Sequence, residues 1–159
     1  MRTIFPAAIA ALLLLSGAAQ ADHMMAKAPF AYATAASARA GGAYVSVMNH
    51  GPADRLIGAR SDAAKRVEIH ENVMTGGVMK MRKVDAIVLP EDGVIEMKPG
   101  GYHIMFMGLT QPFEAGATVP VTLIFESGAE LVVETPVIER GESAPAGDSD
   151  HSGHGSHSD

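Results

Sequence analysis

The hexad Tyr102 to Met107, YHIMFM, constrains this chain more than any other stretch. In an extended strand successive side chains point to opposite faces. Tyr102, Ile104 and Phe106 therefore share one face, and His103, Met105 and Met107 share the other. An aromatic and aliphatic face belongs against a core. The opposite face presents an imidazole and a thioether two residues apart, about 7 Å along the strand.

The rest of the chain repeats this short-strand grammar. Tyr44 to Met48 is a strand ended by a turn at Asn49-His50-Gly51-Pro52. Val67 to His70 alternates, with Glu68 and His70 on the face opposite Val67 and Ile69. Gly76-Gly77 is a turn, and Val78 to Val84 returns as a strand with Met79 and Met81 on one face. Turns at 90–93 and 98–101 bracket a short strand at Val94 to Met97. Val119 to Phe125 and Leu131 to Val137 flank a hairpin turn at 126–129. Residues 38–42 read as a small-residue turn, and 54–64 as a loop with one helical turn. Many short strands with Gly and Pro turns predict an all-β sandwich or small barrel in one domain.

The first 21 residues have a different grammar. Arg2 precedes an apolar run from Ile4 to Leu15, and Ala19-Gln20-Ala21 fits a small-residue cleavage site. The run is shorter than the about 20 residues that span a bilayer. It reads as a secretory signal peptide, which makes the expected product periplasmic. Cleavage after Ala21 would leave His23 beside a free α-amine, an arrangement able to chelate Cu(II), on an end otherwise expected to fray. With no Cys after the cleavage site, no membrane anchor is expected.

Composition narrows the chemistry. The 159 residues carry a formal charge of −6, the wrong sign for a general nucleic-acid or anionic-membrane binder. They include no Cys, which removes disulfides, thiolate metal sites and Cys nucleophiles together. Ten Met and seven His remain as candidate metal-binding side chains. No Ser-His-acid arrangement or paired-carboxylate motif stands out, so an enzyme is not expected.

Four of those side chains stand at definite intervals. Ten residues separate His70 from Met81, twenty-one separate Met81 from His103, and Met105 follows His103 by two. Two neutral imidazoles and two neutral, soft thioethers suit Cu(I) better than Zn(II). A blue-copper electron-transfer centre would need a Cys thiolate. Such a site is therefore expected to hold copper for transfer. Each Met alone is ordinary core filler, and a lone His in an apolar strand is usually a satisfied core residue. The combination on one face is what points to a ligand set. His50, in a turn, reads as solvated.

At these residues the chain resembles the PCuAC family of periplasmic copper chaperones. His70, Met81, His103 and Met105 match that family's H-x10-M-x21-H-x-M motif without a gap, and the words VEIHE, GVMKMR, KPGGYHIMFMGL and TVPVTLIFE are similar to it. The resemblance covers residues 43–138. It implies a cupredoxin-like Greek-key β-sandwich binding Cu(I) at those four residues. It also implies delivery of copper to the copper-bearing subunit of cytochrome c oxidase, at its CuA centre, alongside a Sco-type protein. Met74, Met79 and Met107 fall outside the motif and are expected to pack or to form a spare shell.

Residues 141–159 have no core-forming side chain and are expected to be a disordered tail after a domain at 22–140. His151, His154 and His157 recur every third residue, a pattern expected to bind Cu(II) as an auxiliary site. From Arg140 the tail can extend at most about 55–60 Å, enough to fold back on the domain. Two other functions compete with a chaperone. One is a copper buffer or resistance protein without a dedicated client. The other is a zinc or nickel scavenger that works through the tail.

Overall fold

The computed structural model describes residues 23–143 and Pro145. Ten strands follow in order: β1 (Met24–Tyr32), β2 (Ala40–Asn49), β3 (Asp54–Arg60), β4 (Ala64–Thr75) and β5 (Val78–Lys83), then β6 (Ile87–Leu89), β7 (Val94–Glu96), β8 (Tyr102–Leu109), β9 (Thr118–Phe125) and β10 (Glu130–Ile138). They pair in the order β5-β4-β8-β2-β1-β10-β9-β3-β6, with β7 beside β2. The bend between the two halves lies in β10. Its residues Glu130 to Pro136 pair with β9, and its end, Val137 and Ile138, pairs in parallel with β1.

The core lies between the halves. Val45, Val47, Ile69, Ile104 and Phe106 come from one side, and Leu56, Val121, Leu123, Phe125 and Val133 from the other. Each fully buried side chain of this size contributes about 1.5–3 kcal/mol. Tyr102 and Val67 pack against the edge of this core, as their alternation predicts. On the opposite face of the β5-β4-β8-β2 half stand His70, His103, Met105 and Tyr44, because each alternates with a core residue.

Three segments depart from the sequence reading. Of the expected turn at 38–42, residues 40–42 instead begin β2 and pair with β8. Residues 54–60 form β3 rather than a loop, and Ala64 already begins β4. A register shift between Leu56 and Gly58 breaks the alternation, so the strand has no period-2 signature although Leu56 is buried. The start of β1 is not frayed. Met24 is buried opposite Asn49, and the carbonyl of His23 accepts the His50 N–H at 2.8 Å. A register shift between Lys27 and Phe30, with Ala28 at φ 47°, obscures this strand as well. The predicted turn at 49–52 is held by buried Asn49, whose amide donates to the carbonyls of Gly51, Pro52 and Pro90.

Asp54 fastens β3 to the β9–β10 turn. Its carboxylate accepts from the N–H groups of Arg55 and Ser127 and from the Ser127 hydroxyl. Partial burial pushes the carboxyl up, but these hydrogen bonds outweigh it and hold the group below the ordinary carboxylate value. A depressed folded-state value stabilises above the unfolded value and is lost as pH falls through the folded one. Asp54→Ala is expected to cost about 1 kcal/mol at neutral pH. Urea unfolding should show that difference shrinking below about pH 3.8, where the unfolded carboxylate protonates. An equal cost at pH 7 and pH 2 would contradict the ionic origin.

Candidate metal centre

Strands β4 and β8 are antiparallel neighbours, and their register sets His70 directly opposite His103. Directly opposed residues share a sheet face. The two ring centroids lie 6.0 Å apart with the planes at 60°. Met105 is opposite Glu68, one diagonal step from His70. On the other flank β5 places Lys83 opposite His70 and Met81 opposite Asn72, the second diagonal. Diagonal neighbours lie about 7–8 Å apart, within reach of long side chains. His70 is therefore the common neighbour of the other three.

The four are not equally enclosed. His103 is 3% exposed, Met105 is partly buried, and Met81 is 50% exposed on a strand with no buried residue. The structure thus joins His70, His103 and Met105 closely and leaves Met81 beside them on the β4–β5 hairpin.

Each imidazole has one nitrogen engaged and one free. His70 Nε2 lies 2.9 Å from Glu68 Oε2, and a carboxylate only accepts, so Nε2–H donates. His103 Nδ1 lies 3.1 Å from the Gly101 carbonyl oxygen and donates for the same reason. His70 Nδ1 and His103 Nε2 are buried with no hydrogen-bond partner. Buried polar atoms are nearly always partnered, so two orphans on facing rings call for an explanation. With the other nitrogen donating, each orphan in the neutral ring is a bare lone pair. A metal–nitrogen bond of about 2.0–2.1 Å lets two rings on one ion have centroids up to about 6.4 Å apart, so the observed spacing fits.

The surroundings keep these donors oriented. Burial pushes His103 below the ordinary histidine value, the Gly101 carbonyl works against this, and His70 adds to the lowering. The His70 hydrogen bond holds Glu68 below the usual carboxylate range, against partial burial and with help from Arg66 and Lys83. Tyr44 lies 6.4 Å from the His103 ring and stacks on Phe30 at 4.9 Å, with Tyr32 edge-on to both. This aromatic cluster shields one side of His103. Opposite Met105 the chain has Gly42, and the Tyr44 hydroxyl lies 3.7 Å from where a Cβ would stand there.

Sequence reasoning did not assign roles to Glu68, Tyr44, Phe30 or Tyr32. Glu68 was legible, since it precedes His70 by two on the same face. The aromatic cluster was not, because it needs the β1–β2 pairing. Met107 is not a free donor: its sulfur accepts from Arg66 at 3.4 Å. Met97 is core, while Met74, Met79 and Met81 face solvent.

The other candidate histidines lie elsewhere. His23 meets the end of β2 near Gly51, five residues from Tyr44, or about 17 Å of strand. His50 is exposed in its turn. His151, His154 and His157 lie outside the described residues. Among the described residues no group of three or more His, Cys, Asp or Glu could hold a metal ion. A hard or borderline divalent ion therefore has no all-oxygen or all-imidazole cage there. Two lone-pair imidazoles flanked by thioethers suit a soft cation.

The architecture is cupredoxin-like, the fold of its structural neighbours, which are PCuAC domains. The chain is similar to the copper-bound PCuAC domain from PmoF2, with 25% identity and a TM-score of 0.62 over 74% of this chain and 94% of that one. It is also similar to the Cu(I) form of DR1885 from Deinococcus radiodurans, with 29% identity and a TM-score of 0.55 over 77% of this chain and 83% of that one. The chain belongs to the LpqE-like family, described as "Putative lipoprotein LpqE-like", which it matches over residues 24–137. Among its relatives is "Putative lipoprotein Lxx21020" of Leifsonia xyli subsp. xyli (strain CTCB07), 36% identical over 109 residues. That match covers 67% of this chain and 66% of the relative, so the chain spans just under two thirds of its length. The 159 residues contain no Cys, the residue that S-acylation modifies.

Proposed function

We propose that this domain carries Cu(I) as cargo between His70 and His103, with Met105 and Met81 as the thioether donors. The observation that carries this reading is the pair of partnerless buried nitrogens, His70 Nδ1 and His103 Nε2, on rings 6.0 Å apart. The copper-bound and Cu(I) forms of similar domains support the choice of ion. All four donors are neutral, so the ion keeps its single positive charge and is held less firmly than by thiolates. Half-exposed Met81 is the donor a recipient can replace first.

Glu68 acts through His70, fixing its tautomer and ring orientation. Losing such a partner typically costs 10–100-fold in metal affinity. Glu68→Ala is expected to weaken Cu(I) binding by about that factor, with Glu68→Gln recovering part of it because its amide oxygen still accepts. Unchanged affinity in Glu68→Ala would remove Glu68 from the site.

The same reading makes the chain an exported periplasmic copper chaperone, with a signal peptide at 1–21, a copper domain at 22–140 and a His tail at 141–159. Its proposed client is the CuA-bearing subunit of cytochrome c oxidase, working with a Sco-type protein. His151, His154 and His157 would collect Cu(II) for the domain, with His23 as a further, separate ligand. The family's lipoprotein description supports export.

The test is an anaerobic Cu(I) competition titration. Wild type is compared with His103→Ala plus Met105→Ala and with a chain ending at Arg140. One tight equivalent that survives truncation and vanishes in the double variant supports the domain site. Tight binding that persists in the double variant, or leaves with the tail, overturns it. For delivery, loss of the chain should lower oxidase activity at limiting copper. Sensitivity to excess copper alone would make it a buffer.

A further inference from the structure

The β4–β5 hairpin carries a second set of thioethers. Its two-residue turn, Gly76-Gly77, has φ of 58° and 78°, the left-handed pair that a tight hairpin needs. This turn fixes the register, and the register sets Met74 directly opposite Met79. Directly opposed Cβ atoms lie about 4.5–5.5 Å apart on one face. Met81 follows Met79 by two on the same face, and the next opposed pair is His70 and Lys83. Three methionines thus lead along one sheet face from the hairpin tip to the imidazoles.

Packing does not explain them. Met74 is 65% exposed and Met79 54%, and β5 buries no residue. An edge strand normally shows solvent charged or polar side chains. Lys80 and Arg82 do so on the opposite face, and Lys83 does so beside His70, but at Met79 and Met81 the face toward the imidazoles shows sulfur instead. Thioether sulfur is flexible, uncharged and soft, and it selects monovalent copper over divalent ions.

We propose that Met74 and Met79 form a separate, solvent-facing Cu(I) site at the tip of the hairpin, with Met81 as a third donor when the imidazole site does not hold it. Its ligands are sulfur only, so it binds more weakly than the imidazole pair and exchanges faster. Because Met81 is the diagonal neighbour of His70, an ion can pass between the two sites by exchanging one thioether at a time.

The test is anaerobic Cu(I) titration of the full chain labelled with carbon-13 at the methionine methyls. After the first equivalent fills the imidazole site, the Met74 and Met79 methyl signals should move together with the second. Met74→Leu plus Met79→Leu should lose that second step and keep the first. In a chain with His70→Ala and His103→Ala, the same methyls should respond to the first copper added. This arm separates the surface site from the imidazole site, so either can fail alone. Met74 and Met79 signals that stay fixed through two equivalents would overturn the proposal. So would identical shifts on concentrating the copper-free protein, which would make the stripe a self-association face. The Leu variants keep an exposed apolar side chain of similar size, and the wild-type shifts do not depend on them.

Discussion

His70→Ala is expected to abolish tight Cu(I) binding, with an affinity loss above about 100-fold. The bound follows because losing an outer partner alone costs 10–100-fold, and His70 is a proposed donor as well as the neighbour of every other proposed donor. It faces His103 across the β4–β8 pair and has Met105 and Met81 on its two diagonals. Its removal leaves His103 with one thioether nearby and leaves Glu68 without the group it orients. The residue lies on the face away from the core, so stability should change by less than about 1 kcal/mol, as for other changes outside the core. Competition titration and urea unfolding together separate the two effects. A variant that keeps wild-type affinity would place the copper elsewhere.

The largest stability loss is expected from Phe106→Ala, about 3–5 kcal/mol for deleting a buried aromatic side chain. Phe106 is fully buried and meets Phe113 edge-on at 5.1 Å. It stands on β8 between Met105 and Met107, so the same side chain that fills the core seats the strand carrying two of the proposed donors. A loss of that size is a large share of the about 5–15 kcal/mol that holds a domain together. Copper should rescue part of it, because a ligand bound only by the folded state adds stability. Thermal unfolding with and without Cu(I) measures both. A cost below about 1 kcal/mol would mean that the strand is held mainly by its neighbours β2 and β4.

Where alternation was unbroken, the sequence was sufficient. In β8 Tyr102, Ile104 and Phe106 alternate as large apolar residues, so the core face of Ile104 and Phe106 and the opposite face of His103 and Met105 follow from the two-residue repeat. The Gly76-Gly77 turn fixed a hairpin in the same way. Where a strand is irregular, the pattern failed. β3 and β1 each contain a register shift, and a one-residue slip exchanges the inward and outward sets. Met79 and Met81 illustrate a different limit. Their alternation was visible, but whether that face meets a core or solvent depends on what lies beside the strand, and β5 lies at the edge.

The candidate site divides along the same line. The sequence alone determined the candidate donor types, their soft and neutral character, the absence of thiolate, and the sharing of one face by His103 and Met105. Those are properties of residues and of strand geometry within a few positions. Only the tertiary structure decided that His70 stands opposite His103, that Gly101 and Glu68 each occupy one ring nitrogen, and that the remaining two are buried without partners. Cross-strand register joins residues more than thirty positions apart. It is set by the summed burial of both sheets and by the turns between them, and no local pattern encodes that sum.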